Sequence, residues 1–168
     1  NHLLQLLALV GMEEPVSFDA SDLRAEKEKV LSAVRLPPDL SRHTARGQYT
    51  EGWAGGVKVP GFLQEEGIPA DSRTETYAAI RLDIDTRRWA GVPFYLRTGK
   101  RLLRKLTQIL IHFKPTPHLM FPVEDPHRLQ QNILTFRLQP DEGIHHTFLA
   151  NQPGPEICVR PVKMHFHY

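Results

Sequence analysis

The chain has 168 residues, enough for one domain of ordinary size with a hydrophobic core. Its 21 basic side chains face 19 acidic ones, a formal charge of +2, and the two signs are interspersed, a pattern that argues against nucleic acid as a partner. The single cysteine, Cys158, excludes an intrachain disulfide framework and fits a reducing compartment. No run approaches the roughly 20 apolar residues of a membrane-spanning helix, so no membrane partner is expected.

The chain opens Asn1-His2-Leu3-Leu4, without methionine or the basic n-region of a signal peptide, and is expected to be a fragment of a longer protein. His2 to Met12 is apolar at nearly every position and predicts a buried helix closed by Pro15. A second, exposed amphipathic helix is predicted around Ser21 to Val34, with Asp19 or Ser21 as N-cap, acids early and lysines late, ending before Pro37-Pro38. Ser41 to Ser72 is rich in glycine and proline and reads as a long, partly irregular connection with a short helix near Phe62 to Glu66.

The period then changes from helical to alternating. Thr74 to Asp85 sets Thr76, Ala78, Ile80, Leu82 and Ile84 against Glu75, Tyr77, Ala79, Arg81 and Asp83, a half-buried strand. Further strands are predicted over Pro93 to Thr98, Leu106 to Phe113 and Ile133 to Gln139, with up to three more from Gly143 to Ala150, Glu156 to Val162 and Lys163 to Tyr168. Turns are marked by Arg87-Arg88-Trp89-Ala90-Gly91 and Pro140-Asp141-Glu142-Gly143. Helices followed by strands on short links predict an α+β fold: N-terminal helices, then a large, mainly antiparallel β-sheet.

No G-x-G-x-x-G follows a strand and no P-loop is present, so a nucleotide-binding domain of the usual kind is not expected in this chain. The histidine pairs His145-His146 and His165-x-His167 lack a second ligand cluster at fixed spacing, and no metal is expected. Cys158 lies in the apolar run Ile157-Cys158-Val159 and reads as a buried, inert thiol. The informative stretch is Arg97-Thr98-Gly99-Lys100-Arg101-Leu102-Leu103-Arg104-Lys105. There a strand meets a glycine turn and five cations follow one another closely, an arrangement suited to a phosphate or to a merely solvated loop.

Asn1-His2-Leu3-Leu4-Gln5 resembles the helix that carries the catalytic histidine in glucose-6-phosphate dehydrogenases. Ser72-x-Thr74-Glu75-Thr76-x-Ala78-Ala79 and Arg88-Trp89-x-Gly91-Val92-Pro93-Phe94-x-Leu96-Arg97-Thr98-Gly99-Lys100-x-Leu102 extend the resemblance. So do Gln131-Asn132, Arg137-Leu138-Gln139-Pro140-Asp141-Glu142-Gly143 and Val162-Lys163-Met164-x-Phe166-x-Tyr168. The resemblance covers nearly the whole chain. It implies that residues 1–168 are the C-terminal substrate and dimerisation domain of such an enzyme, incomplete at both ends.

By the same resemblance the full-length protein oxidises glucose 6-phosphate to 6-phosphoglucono-lactone, the first step of the pentose phosphate pathway. It would be a cytoplasmic homodimer paired through this sheet, with NADP held mainly by a Rossmann domain outside the chain. His2 is implied as the catalytic base, and Lys100, Lys105 and Gln139 as substrate contacts. Several family features have no counterpart here: the Arg-Ile-Asp-His-Tyr-Leu-Gly-Lys motif, the Rossmann glycines and the last helices. In some eukaryotic members a second NADP binds this domain; Arg97 and Arg137 match that site, while Leu106 and Leu110 stand where further cations would be. The chain alone is therefore expected to be inactive. The alternative is a non-catalytic sheet domain that binds anionic sugars or mediates assembly.

Overall fold

The computed structural model describes residues 2–115, 118, 131–155 and 158–167. They form two compact units, Asn1–Leu102 and Leu103–Tyr168.

The first unit begins with helix α1 (His2–Gly11) and helix α2 (Ala20–Ser32). Strands β1 (Val34–Arg35) and β2 (Thr44–Gly47) follow, with the short helix α3 (Leu40–His43) between them. Strands β3 (Gly52–Ala54) and β4 (Val57–Val59) form a hairpin, and a 3₁₀ turn spans Phe62–Gln64. Strand β5 (Tyr77–Ile84) pairs antiparallel with β1, with β2 and with strand β6 (Phe94–Gly99). Because β2 and β6 both pair along the first half of β5, they lie on its opposite edges.

The alternation read from Thr74 to Asp85 holds at Thr76, Leu82 and Ile84, which are buried, and at Ile80, which is half-buried, but Ala78 is exposed. Leu82 and Ile84 form the core with Leu7 and Val30, and Met12, Val34, Ile80, Trp89, Phe94 and Leu96 pack around it. Helix α1 packs against α2 and β6. It is covered on one side only, which corrects the expectation of a buried helix: Leu7, Ala8 and Gly11 are buried, whereas Leu4 and Leu9 are exposed. The N-cap of α2 is Asp19, not Ser21. The helix stops at Ser32, short of the prolines, because Val34 and Arg35 join the sheet against Ile84 and Asp83.

The second unit is a four-stranded antiparallel sheet in the order β10-β9-β8-β7. Its strands are β7 (Thr107–His112), β8 (Ile133–Gln139), β9 (Gly143–Asn151) and β10 (Val159–His167). The two expected terminal strands are thus one, running through Pro161. Pro161 is tolerated because β10 is an edge strand. Glu156, where a strand was expected to begin, and Tyr168 lie outside the described residues. The α+β class and the antiparallel pairing hold, with the strands shared between two four-stranded sheets and a hairpin. Ile80 and Leu82 consequently belong to a different sheet from Leu134, Phe136 and Leu138, where a single large sheet was expected. Cys158 is half-buried rather than buried, beside the strand end at Asn151 whose side chain accepts its N–H.

The turn between β5 and β6 ties the first unit together. Its backbone closes with Trp89 and Ala90 N–H groups donating to the Thr86 carbonyl, and Gly91 takes a φ of +79°. The Trp89 indole donates to the Gly11 carbonyl at 2.9 Å, and its ring stacks edge-on against Phe94. Arg88 reaches Glu13 with two nitrogens, at 2.8 and 2.5 Å. Gly11 has no room for a side chain: a Cβ there would stand 2.9 Å from Val30 Cγ1. Trp89→Phe removes the indole donor while keeping an aromatic ring. It is expected to lower the unfolding free energy in a urea titration by about 1–2 kcal/mol, since the Gly11 carbonyl loses its partner. An unchanged midpoint would mean that this bond carries no net stability.

Candidate functional site

His2 opens α1 and is exposed. Its helix is held at the other end, where Trp89 binds Gly11. The same indole marks the start of β6 through Phe94. His2 stands nine positions upstream of Gly11, roughly 14 Å along a helix. Gly99 stands five positions downstream of Phe94, roughly 17 Å along a strand. His2 and the cationic turn are thus displaced by comparable lengths from one shared anchor.

The turn after β6 is built closely. The Lys100 N–H donates to the Thr76 carbonyl at 2.7 Å, and Thr76 is itself tied to Gly47 and Tyr49 by hydrogen bonds. The change of direction falls on Arg101, which takes a φ of +51°, and not on Gly99 as the sequence led us to expect. Gly99 is required for a different reason: a Cβ there would lie 2.9 Å from the Tyr77 ring and 3.2 Å from Leu102. The Arg101 guanidinium pairs with Glu65 and lies 5.1 Å over the Tyr49 ring. The Tyr49 hydroxyl donates to the same Glu65 oxygen at 3.2 Å. Glu65 and Tyr49 were not legible as site residues, because both lie in the irregular connection far from the motif. Lys100 is exposed and, among the described residues, makes no ion pair.

In the second unit Lys105 and Gln139 fall at one end of the β7–β8 pair. Gln139 opposes Thr107, two residues beyond Lys105, and the Lys105 and Gln139 side chains are both exposed. Lys105 borders a shallow groove of about 580 Å³ together with Arg104, Gln108, Thr135, Arg137 and His145. Arg137 is paired with Asp141 at 2.9 Å. The groove therefore carries more positive than negative groups, a field that favours an anion.

The strand register brings the two histidine pairs together. His145 lies opposite His165, their rings 4.3 Å apart, and His167 is 6.1 Å from His145. Even so, among the described residues no group of three or more histidine, cysteine or carboxylate side chains is arranged to hold a metal ion. Among the described residues no helix is long and apolar enough to cross a membrane.

A profile described as "Glucose-6-phosphate dehydrogenase, C-terminal domain" matches residues 1–168. The chain belongs to the glucose-6-phosphate dehydrogenase family. It is 56% identical over 168 residues to glucose-6-phosphate 1-dehydrogenase 2 of Mycobacterium tuberculosis strain H37Rv, covering all of this chain and 33% of that protein. It is 47% identical over 170 residues to the glucose-6-phosphate 1-dehydrogenase of Aggregatibacter actinomycetemcomitans, covering all of this chain and 34% of that one. A solved glucose-6-phosphate dehydrogenase in complex with its substrate, glucose 6-phosphate, superimposes with a TM-score of 0.86 at 36% identity. The alignment covers all of this chain and 33% of that one. The crystal structure of the Mycobacterium avium enzyme gives 0.79 at 37% identity, again over all of this chain and 34% of the other. The chain thus spans about a third of the length of the relatives it matches.

The nicotinamide dinucleotide that the family implies needs a strand, a glycine-rich turn and a helix N-terminus to cradle its pyrophosphate. Among the described residues the only strand that runs directly into an α-helix is β1 into α3, through Leu36–Asp39, which contains no glycine. The N-terminus of α3 is already occupied by the Asp39 carboxylate, which accepts from Ser41 N and Arg42 N. These bonds, the Ser41 hydroxyl first, hold Asp39 below the usual carboxylate range, so a phosphate there would meet a negative charge. The described residues do not fit this cofactor.

The second sheet also has an acid-sensitive face. Loss of hydration, then the charges of His165, Arg137, His167 and Lys163, push the His145 pKa down. Its Nε2 is buried without a partner. The unfolded chain returns this imidazole to its ordinary value near 6.5 and so binds more protons below that pH. The stability that neutral His145 permits is therefore full above about pH 6.5 and falls as the solution is acidified. Thermal unfolding from pH 7.5 to 5.5 is expected to show a falling midpoint, and His145→Asn is expected to flatten that slope. An identical slope in the variant would remove His145 as its source.

Proposed function

We propose that this chain supplies the sugar-phosphate side of an NADP-dependent oxidation of glucose 6-phosphate, with the dinucleotide held outside these 168 residues. The observation that carries the reading is the pairing of family membership over the full chain with a helix-borne histidine and a cationic turn fixed to one anchor. The relative solved with glucose 6-phosphate, matched along the whole chain, supports the substrate class.

Oxidation at C1 removes a hydride from carbon and a proton from the C1 hydroxyl, and the C–O bond becomes the lactone carbonyl. His2 takes the proton on a ring nitrogen. Imidazole suits this because its ordinary pKa lies near neutrality, so both protonation states are accessible in turnover. Lys100 contacts the sugar near the reacting end. Lys105 binds the phosphate, and Gln139 lies near the sugar site. The ammonium groups act as point charges that draw the dianion in and hold it. NADP, when bound elsewhere in the full-length protein, supplies the hydride acceptor.

We further take the full-length protein to be a cytoplasmic homodimer of the pentose phosphate pathway. Val162, Met164 and Phe166 support the pairing: they form an exposed apolar row on one face of edge strand β10, a surface suited to being covered.

His2→Asn in the full-length protein is expected to lower kcat by roughly 10²–10⁴-fold, the range of a lost general base. Lys105→Ala is expected to raise KM for glucose 6-phosphate while leaving that for unphosphorylated glucose nearly unchanged. Normal turnover in the first variant, or equal effects on both sugars in the second, would remove the respective assignment. The 168-residue chain by itself is expected to form no NADPH from NADP and glucose 6-phosphate, because nothing in it positions the acceptor. Turnover by the isolated chain would refute that.

A further inference from the structure

We infer that Glu65 and Tyr49 are positioning residues for Lys100, acting through Arg101. The inference rests on the reading of Lys100 as a substrate contact and adds to it the device that aims the side chain.

Lys100 lies at the first position after β6, so its direction depends on the path of the next residue. That residue, Arg101, has a φ of +51°, a conformation that costs an ordinary side chain energy and persists only where the surroundings hold it. What holds it comes from the irregular connection. Glu65 takes the guanidinium in an ion pair, and the Tyr49 ring lies under the same group with its centroid 5.1 Å away. The Tyr49 hydroxyl donates to the Glu65 oxygen that receives Arg101, so the carboxylate is aimed from two sides.

The connection is in turn pinned to the sheet beside Lys100. Tyr49 N–H donates to Thr76 Oγ1 at 2.9 Å, and Phe62 N–H donates to the Tyr49 carbonyl at 2.9 Å. The Phe62 ring packs edge-on to Tyr49, at 5.8 Å between centroids. Thr76 is the residue whose carbonyl receives the Lys100 N–H. Lys100 is therefore fixed on both sides: its own N–H is held by Thr76, and the side chain that follows it by the connection bonded to Thr76.

The arrangement also separates two neighbouring cations. Arg101 is neutralised by Glu65, while Lys100 makes no ion pair among the described residues. The ammonium left for an incoming anion is the one that the clamp aims.

The test uses the full-length protein and the variants Glu65→Gln, Arg101→Gly, the double variant and Lys100→Ala. Glycine at 101 keeps the left-handed backbone accessible while deleting the clamp. Each clamp variant is expected to raise KM for glucose 6-phosphate by about five- to tenfold, the effect of losing roughly 1 kcal/mol of aim, with kcat and KM for NADP within about twofold of the parent. The double variant is expected to do no worse than either single one, because both remove the same contact. A general loss of structure would instead lower the melting temperature and move all kinetic constants together. An unchanged KM in Glu65→Gln, beside a raised one in Lys100→Ala, would overturn the clamp and leave the substrate contact standing. Additive effects in the double variant would also overturn it. An unchanged KM in Lys100→Ala would overturn the substrate reading and the clamp with it.

Discussion

The hydrogen bond from the Trp89 indole to the Gly11 carbonyl is the contact on which the first unit's geometry turns. A helix of ten residues with exposed leucines cannot hold its own direction, because short helices in water are marginal without tertiary packing. Here the direction is set at the C-terminal end. Gly11 lets the helix backbone approach Val30 and Ile84, the indole takes the carbonyl left open at the helix end, and Arg88 closes the contact through Glu13. The same tryptophan packs on Phe94, where β6 starts. One turn between two strands therefore sets the origin of both the helix that carries His2 and the strand that ends before Lys100.

This explains why a run such as Arg88-Trp89-x-Gly91 can matter without touching substrate. Its arginine, indole and left-handed glycine each make a contact that places something else. The Arg101 clamp has the same character on a smaller scale: Glu65 and Tyr49 act on the backbone path at Lys100 and have no chemistry of their own. In both cases His2 and Lys100 stay exposed while Trp89, Tyr49 and Glu65 are half-buried.

Much of this was legible in the sequence because apolar residues recur at every second position in β5, β6 and β8. In β5 the even positions Ile80, Leu82 and Ile84 face inward, as does Thr76 just before the strand, while Ala78 is exposed. The short elements were not legible. Strands β1 and β2 have two and four residues, and the β3–β4 hairpin turns on Gly55 and Gly56, so none gives a periodic signal of useful length. Neither was the sharing of strands between two sheets, since alternation within a strand says nothing about which neighbour it takes. The half-covered α1 was hidden for a related reason: an all-apolar run does not reveal which side is covered. At the basic turn the glycine was read for its freedom of φ, whereas Gly99 is needed for its missing Cβ and Arg101 takes the left-handed angle. The histidines of β9 and β10 looked unrelated in sequence and are brought face to face by register alone.

On the proposed function, the Trp89 anchor brings the His2 end of α1 and the Lys100 turn to one sugar. A crystal structure of the full-length protein with glucose 6-phosphate bound tests it most directly. The account predicts a His2 ring nitrogen about 2.6–3.2 Å from the C1 hydroxyl oxygen, with the Lys100 ammonium on the same sugar and the Trp89 to Gly11 bond intact. A sugar whose C1 hydroxyl is held by another base, with His2 turned to solvent, would contradict it.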